Sequence, residues 1–561
     1  PEGEAVRRVI HSEVVSPSAL LTALMALPLT GSLLTIIFVR IPRAPARLRS
    51  LAGLPTVIGA AIALIAAWLL RGQSDWEAVI GGWSPISFTG LPLAMADFAP
   101  AAGIIIAWVT VYFLNGLESL AASPDERDSV AGALCVASLT LVAFANNFVA
   151  LLVGLGLTDL CTAYAALRQQ GSGRAAMIQL MLNGVSITAL IFVAVIHAAG
   201  GNSLHRPLVR LGDSTAPLMA LAVALRLNVV PFRALPSAWS DPQNSAGAVS
   251  GLLVLTRLPG LGITGLPGWF YALALVGGLL TLIIAALQAE ARKDALVPAA
   301  VTAGAYLAGA SAILNMPGVT AAATIAWLIG TALIGRPGPV DAPPWVKSVR
   351  RAMRGVGALC LIGLPPMVGL VGHAGVITAW TARGTDGWPF ALAWIVCLVL
   401  MVYALLTIVF SSTGEAVHDV RPAQERHHLS AQLAREAIGG LSAGVPVLLF
   451  GVAPALLTAG SLAEVLGRHG ALGWAGWAVA VAAGALLWRL ESRWRPAIGP
   501  IREWTTRALD LSWFYSLLDG AIGRLRYPFS RAFDLLESDG TLLWAIIAVL
   551  LIVLISRPGG P

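Results

Sequence analysis

Lysine is almost missing from this chain: of 561 residues only Lys293 and Lys347 are lysine, and charged residues of every kind make up 12%. A soluble globular chain is about a quarter charged. With 57% hydrophobic residues, the chain has too little polar surface to cover a water-facing core, which sets aside soluble enzymes and soluble binding modules. Cysteine is scarce as well. Cys135, Cys161, Cys360 and Cys397 stand singly inside apolar runs, without metal or redox spacing. They read as small core residues, and no iron–sulfur cluster, disulfide framework or metal box is expected. No nucleophile–base set is present, so a stand-alone enzyme is the weakest reading and no cofactor is expected in this chain. The opening stretch PEGEAVRRVIHSE lacks the basic, apolar and small-residue order of a signal peptide and reads as a short polar tail. The formal charge of +7 does not point to nucleic acid, because the arginines lie between apolar runs rather than on one face.

What the chain has in abundance is long apolar runs, and a spanning helix needs roughly 20 such residues. They fall near 17–38, 51–71, 93–116, 128–146, 147–167, 175–199, 215–232 and 244–264, then near 267–288, 295–314, 317–335, 355–380, 389–411, 436–459, 471–488 and 541–556. The expected fold is an all-α polytopic membrane protein of about 16 spanning helices. The basic loops test this count. Arg40, Arg43, Arg47 and Arg49 follow the first segment; Arg336, Lys347, Arg350, Arg351 and Arg354 follow the eleventh; Arg489, Arg493, Arg495 and Arg502 follow the fifteenth. All three clusters follow odd-numbered segments and are therefore cytoplasmic by the positive-inside rule. Both termini then face outward, in what is expected to be a bacterial inner membrane. His205, Arg206 and Arg210 are the main exception on the opposite side.

Two segments are interrupted by proline in comparable ways. LMALAVALRLNVVPFRALPSAW is broken at Pro231 and Pro236, and LCLIGLPPMVGLVGHAGVITAW at Pro365 and Pro366. Each sits near the fourth helix of a five-helix block, 128–264 and 267–411. Five is odd, so the two blocks are expected to be inverted relative to each other, and matched broken helices in inverted halves point to a transport site. The plainer alternative is a pair of packing kinks. Around the blocks lie a tail with three helices at 1–127, two further helices within 412–488, a segment at 489–540 and a final span within 541–561. The 489–540 segment interleaves Trp504, Trp513, Phe514 and Tyr515 with arginine and aspartate at helical spacing. That is the pattern of an amphipathic helix lying laterally along the membrane interface or a protein flank.

Three stretches carry a family resemblance: LRLNVVPFRALPSAWSDPQNSAGAVSGLL, ALQAEARKDALVPAAVTAGAYLAGA and GLPPMVGLVGH. They resemble the antiporter-like membrane subunits of respiratory complex I (the L, M and N type), of Mrp antiporters and of membrane-bound hydrogenases, with this chain a divergent member. The resemblance covers about 128–411, and the remainder matches the longer members in architecture. It implies inverted repeats over helices four to eight and nine to thirteen, each holding half of a proton path. It also implies a glutamate on the fifth helix, a lysine on the seventh, and lysine or histidine on the eighth, tenth, eleventh and twelfth.

The chain departs from that pattern almost everywhere. The lysine position of the seventh helix holds Arg226, which stays protonated and is a poor relay. Leu157 stands in the glutamate register, with Asp159 about 200° further round an ideal helix. Asp159 either pairs with Arg226 after local rewinding or marks a polar helix end. Arg257 in the eighth segment is either a second buried cation or an end-snorkelling residue. The tenth and eleventh segments carry neither lysine nor histidine. His373 occupies the twelfth-helix position, either as a relay or as a core histidine on a backbone carbonyl. His418, His427 and His428 read as a solvated loop.

Three functions stay open. The first is a membrane subunit of a multi-subunit proton-translocating complex, with a partial or purely structural path. Its partners would be the lipid bilayer, other membrane subunits and a soluble or peripheral catalytic subunit carrying any redox centres. The second is the ion-coupling subunit of a two-component inorganic-carbon uptake system, a use to which the same family is put. The third is a non-conducting anchor.

Overall fold

The computed structural model describes residues 16–40, 52–73, 76–80, 91–94, 99–119, 126–170, 173–201, 211–227 without 212, most of 246–276, 316–334, 344–410, most of 429–457, 470–494, 496, 520 and 548–552. Its helices are α1 (Pro17–Arg40), α2 (Leu54–Gly72), α3 (Ala99–Ser119), α4 (Glu126–Phe144), α5 (Phe148–Gln170), α6 (Gly173–Ala199), α7 (Ala216–Arg226) and α8 (Ala246–Arg257). They continue as α9 (Pro317–Ile334), α10 (Pro344–Ile362), α11 (Gly369–Thr381), α12 (Trp388–Phe410), α13 (Leu429–Val452), α14 (Gly470–Arg489) and the short α15 (Glu491–Trp494). Among the described residues seven helices are long and apolar enough to cross a membrane, and five shorter apolar helices accompany them. The chain is an integral membrane protein.

The bundle is held as helices are held in lipid, by close packing and interhelical hydrogen bonds rather than by an amphipathic stripe. α3 and α9 are buried nearly all round and form its middle. On the N-terminal side Ser32 Oγ lies 3.0 Å from the Tyr112 hydroxyl and donates to the Ser129 carbonyl, while Thr56 Oγ1 bridges Thr35 and Ser129 at 2.9 and 2.8 Å. Four helices are tied by these hydroxyls. Trp68 of α2 stacks on Phe450 of α13 with ring centroids 5.4 Å apart, and Arg71 donates to the Leu456 carbonyl, so the N-terminal helices and α13 are one packed unit.

The expected segment at 93–116 begins instead with a strand. β1 (Glu77–Ile80) and β2 (Leu91–Ala94) form an antiparallel hairpin, and α3 starts only at Ala99. The hairpin is pinned to the α4–α5 connection, where Asn146 N–H donates to Pro92 O at 2.9 Å and Leu93 bridges Ala145. Asn147 Oδ1 then accepts the Ala150 amide at 2.8 Å, the capping bond that starts α5.

The segment expected at 355–380 is two helices. Lys347, Arg350, Arg351 and Arg354, expected in a loop, belong to the first turns of α10, which runs to Ile362, and α11 resumes at Gly369. Gly363 has φ +77 and a Pro365–Pro366 cis peptide follows. Gly330 lies against Leu361, Gly372 against Ala323 and Gly375 against Val319. Both halves therefore run in one direction along α9 and antiparallel to it. The other expected break, at Pro231 and Pro236, lies outside the described residues, as do most of 267–315, His418, His427, His428 and nearly all of 497–547.

Candidate functional site

Arg226 is the last residue of α7 and its side chain is completely buried. Burying a guanidinium is tolerable only against a counter-charge or a set of backbone acceptors, and for Arg226 a counter-charge is supplied from α5. Nη1 donates to Asp159 Oδ1 at 2.8 Å and Nη2 to Asp159 Oδ2 at 2.9 Å. This is the parallel two-bond geometry that suits a guanidinium to a carboxylate. α5 is regular helix throughout, so no local rewinding is needed. Asp159 lies on the buried face with Thr158 and Thr162, whereas Leu157 is half-buried.

A third partner was not foreseen. Ser250 of α8 accepts from Arg226 Nη1 at 3.1 Å and donates to Gly247 O at 2.7 Å. Its sequence signal was available: Ser250 and Arg257 are seven residues apart and share one face of α8. Asn183 of α6, also buried, lies close to Asp159. Nothing in the sequence singles it out among the polar residues of α6.

Arg257, at the end of α8, is buried as well. Its Nη1 donates to Val142 O at 2.8 Å and its Nη2 to Ala145 O. These carbonyls close α4, where a helix end exposes unsatisfied acceptors and partial negative charge. Arg257 thus holds the α4 end and, through Ala145, the hairpin anchor. It is a buried cation and not a snorkelling one.

His373 lies one turn into α11 and is fully buried. Its Nε2 is 2.7 Å from Leu361 O, across the break. A carbonyl can only accept, so Nε2 carries the hydrogen and in the neutral ring Nδ1 is left as an acceptor. Nδ1 has no partner among the described residues. Trp394 of α12 faces the ring with centroids 6.1 Å apart. Trp477 Nε1 of α14 donates to the adjacent Ile362 O at 3.0 Å, so two side chains satisfy consecutive carbonyls at the end of α10.

The structure therefore brings Arg226 and Asp159 into contact, places Arg257 on the same bundle of helices, and keeps His373 apart. Between them stands α9, which touches α8 on one side and α10 and α11 on the other. Its sequence PGVTAAATIAWLIGTALI has no ionisable residue. The Thr320 and Thr324 hydroxyls are bonded back to Met316 O and Thr320 O of their own helix. Among the described residues no group of three metal-ligating side chains occurs.

No family model matches the chain. It is 27% identical over 374 residues to NADH-quinone oxidoreductase subunit N of Cereibacter sphaeroides, which covers 58% of this chain and 81% of that protein. Subunit N of Heliobacterium modesticaldum is 23% identical over 356 residues, covering 55% and 73%. This chain is a divergent relative of the antiporter-like membrane subunits. Solved structures share its fold. A chain of the Mrp complex from Dietzia sp. superposes with TM-score 0.66 at 17% identity over 95% of this chain, which spans 62% of that one. A chain of the membrane-bound sulfane sulfur reductase, an archaeal respiratory membrane complex, gives 0.63 at 16% identity, with 94% and 99% covered. A chain of respiratory complex I from Thermus thermophilus gives 0.58 at 16%, with 83% and 99% covered. All three neighbours are parts of membrane complexes.

Proposed function

We propose that this antiporter-like chain is a membrane subunit of a multi-subunit proton-translocating complex in which the first half of the path is locked and only the second half can take up a proton. The observation that carries this is the Arg226–Asp159 pair. Both carboxylate oxygens are held at 2.8 and 2.9 Å by a guanidinium that does not release its proton. Such a pair is a fixed charge-neutral pin, whereas a relay must alternate between charged and neutral forms. α9 supports the same reading, since a wall without titratable groups separates the pin from His373. In the second half, Nε2 can stay bonded to Leu361 O while Nδ1 gains and loses a proton.

The reading includes about sixteen spans in two inverted five-helix repeats, a lateral amphipathic segment and both termini outside a bacterial inner membrane. The partners are further membrane subunits in the bilayer and a peripheral catalytic subunit.

The test uses the complex that co-purifies in mild detergent, reconstituted in vesicles with a pH-sensitive dye inside. His373→Gln keeps a donor for Leu361 O and removes the relay; it is expected to lower proton movement at least about tenfold with little change in stability. His373→Leu is expected to lower both. Replacing Arg226 and Asp159 together by leucine should leave the flux intact. Full flux in His373→Gln makes the chain an anchor. Flux abolished by the double leucine variant in an intact complex refutes the pin. A single large zinc-binding partner, instead of flavin or iron–sulfur subunits, moves the assignment to inorganic-carbon uptake.

A further inference from the structure

The start of α10 is not explained by any proton path. Lys347, Arg350, Arg351 and Arg354 follow the spacing i, i+3, i+4, i+7, which places all four within about 100° of arc on a helix. Trp345, Val349, Met353 and Val356 occupy the opposite arc, and Met353 lies against Gly440 of α13. The exposed side of α10 runs through Ser348, Arg351 and Ala352 and continues to Leu359, whose side chain is 38% exposed. Arg351 and Leu359 are eight residues apart, about 12 Å along the axis. Of the four cations Arg351 is the one on this exposed face, and from it the face passes to an apolar surface of the kind that meets acyl chains.

The neighbouring helices end at the same side. α12 runs antiparallel to α10 and parallel to α14, since Gly484 packs on Val402 and Phe410 lies 5.1 Å from Trp488. Phe410, 61% exposed, and the exposed Arg489 and Arg493 form the aromatic and basic edge that belongs at a membrane–water interface. The basic turns of α10 lie on the same side of the bundle as that edge.

We propose that the basic start of α10 binds the phosphodiester headgroup of an anionic phospholipid whose acyl chain lies along the face ending at Leu359. Charge complementarity selects an anion. The continuity of the exposed face with Leu359 favours a lipid over an acidic soluble protein, which would need the cations to project clear of the bilayer.

The full chain, with whatever subunits accompany it, is placed in nanodiscs of phosphatidylcholine with or without one-fifth phosphatidylglycerol, and the retained lipid is read by native mass spectrometry. Wild type is expected to retain phosphatidylglycerol in preference to phosphatidylcholine. The variant carrying Lys347→Gln, Arg350→Gln and Arg351→Gln is expected to lose about 100-fold of that preference. No preference in wild type, or a preference unchanged in the variant, overturns the proposal. Should the triple variant fail to insert, Arg351→Gln alone and a salt series on wild type decide: retention that does not fall between 0.1 and 1 M salt refutes a headgroup site. Loss of a peripheral polypeptide with lipid retention intact assigns the face to a protein instead. Competition by soluble glycerophosphate as strong as by the lipid assigns it to a free anion.

Discussion

At the scale of the residue, the decisive quantity is the cost of stranding a charge. Arg226 and Asp159 are both buried, and their mutual attraction offsets a desolvation penalty of several kcal/mol per ion. Arg226→Ala leaves a carboxylate in an apolar interior, and Asp159→Ala leaves a guanidinium there. Each is expected to destabilise the chain by about 3–5 kcal/mol, read as a lower midpoint of unfolding in detergent. Replacing both by leucine should cost clearly less than the sum of the two single changes. A double-mutant cycle in which the losses simply add would mean that the two side chains do not act as a pair. Arg226→Lys is not conservative at this site: the ammonium cannot reproduce two parallel bonds at 2.8 and 2.9 Å and still reach Ser250. It should lose about 1–3 kcal/mol.

At the scale of the element, the break between α10 and α11 shows how a helix is interrupted at membrane depth without stranding its backbone. Leu361 O and Ile362 O receive His373 and Trp477, and the Val368 amide reaches Val447 O of α13 at 3.1 Å. Trp477→Phe removes the donor but keeps most of the ring. It should cost about 1–3 kcal/mol through the orphaned Ile362 carbonyl, while Trp474→Phe on the same helix should be close to neutral. Gly451 is required for a different reason: a Cβ there would overlap the Pro366 carbonyl oxygen. Gly451→Val is expected to push α13 off the break and to lower the unfolding midpoint by more than Trp477→Phe does. Much of this element was legible in the sequence. Pro365 and Pro366 remove donors and announce a break, and the apolar runs place the helices on either side. The partners of the freed carbonyls were not legible, because Trp477 is more than a hundred residues away and one of several tryptophans in an apolar run. The β-hairpin was missed for a related reason. Leu91–Ala94 is apolar and precedes an apolar helix directly, so hydropathy merges the two, and only its pairing with Glu77–Ile80 separates them. Asp159 shows the limit of register arguments, since a position judged about 200° off a family pattern still meets its partner when α7 approaches α5 from that side.

At the scale of the whole molecule, the proposed orientation follows from charge placed at one end of the bundle. α10 begins with Lys347, Arg350, Arg351 and Arg354 and runs inward. α11 carries on along α9 to the opposite side, where Arg383 lies over the ring of Trp380 at 4.8 Å and the turn Gly384–Asp386 leads into α12. Positive loops are retained in the cytoplasm, so Ser348 and Asp386, both exposed, should be reached from opposite faces of the membrane. The four native cysteines are all buried, which leaves a low background for single-cysteine labelling. With Asp386→Cys, a membrane-impermeant maleimide should react in intact spheroplasts. With Ser348→Cys, reaction should need permeabilised membranes, and the difference should exceed about tenfold, since unassisted passage of a charged reagent through the hydrocarbon layer is strongly opposed. The opposite pattern would turn the molecule over in the membrane and bring both termini inside. Equal labelling of both positions without permeabilisation would mean that α10, α11 and α12 do not carry the chain across the membrane and back. In that event His373 would lie on no route between the two sides, and the second half-path would lose its physical basis.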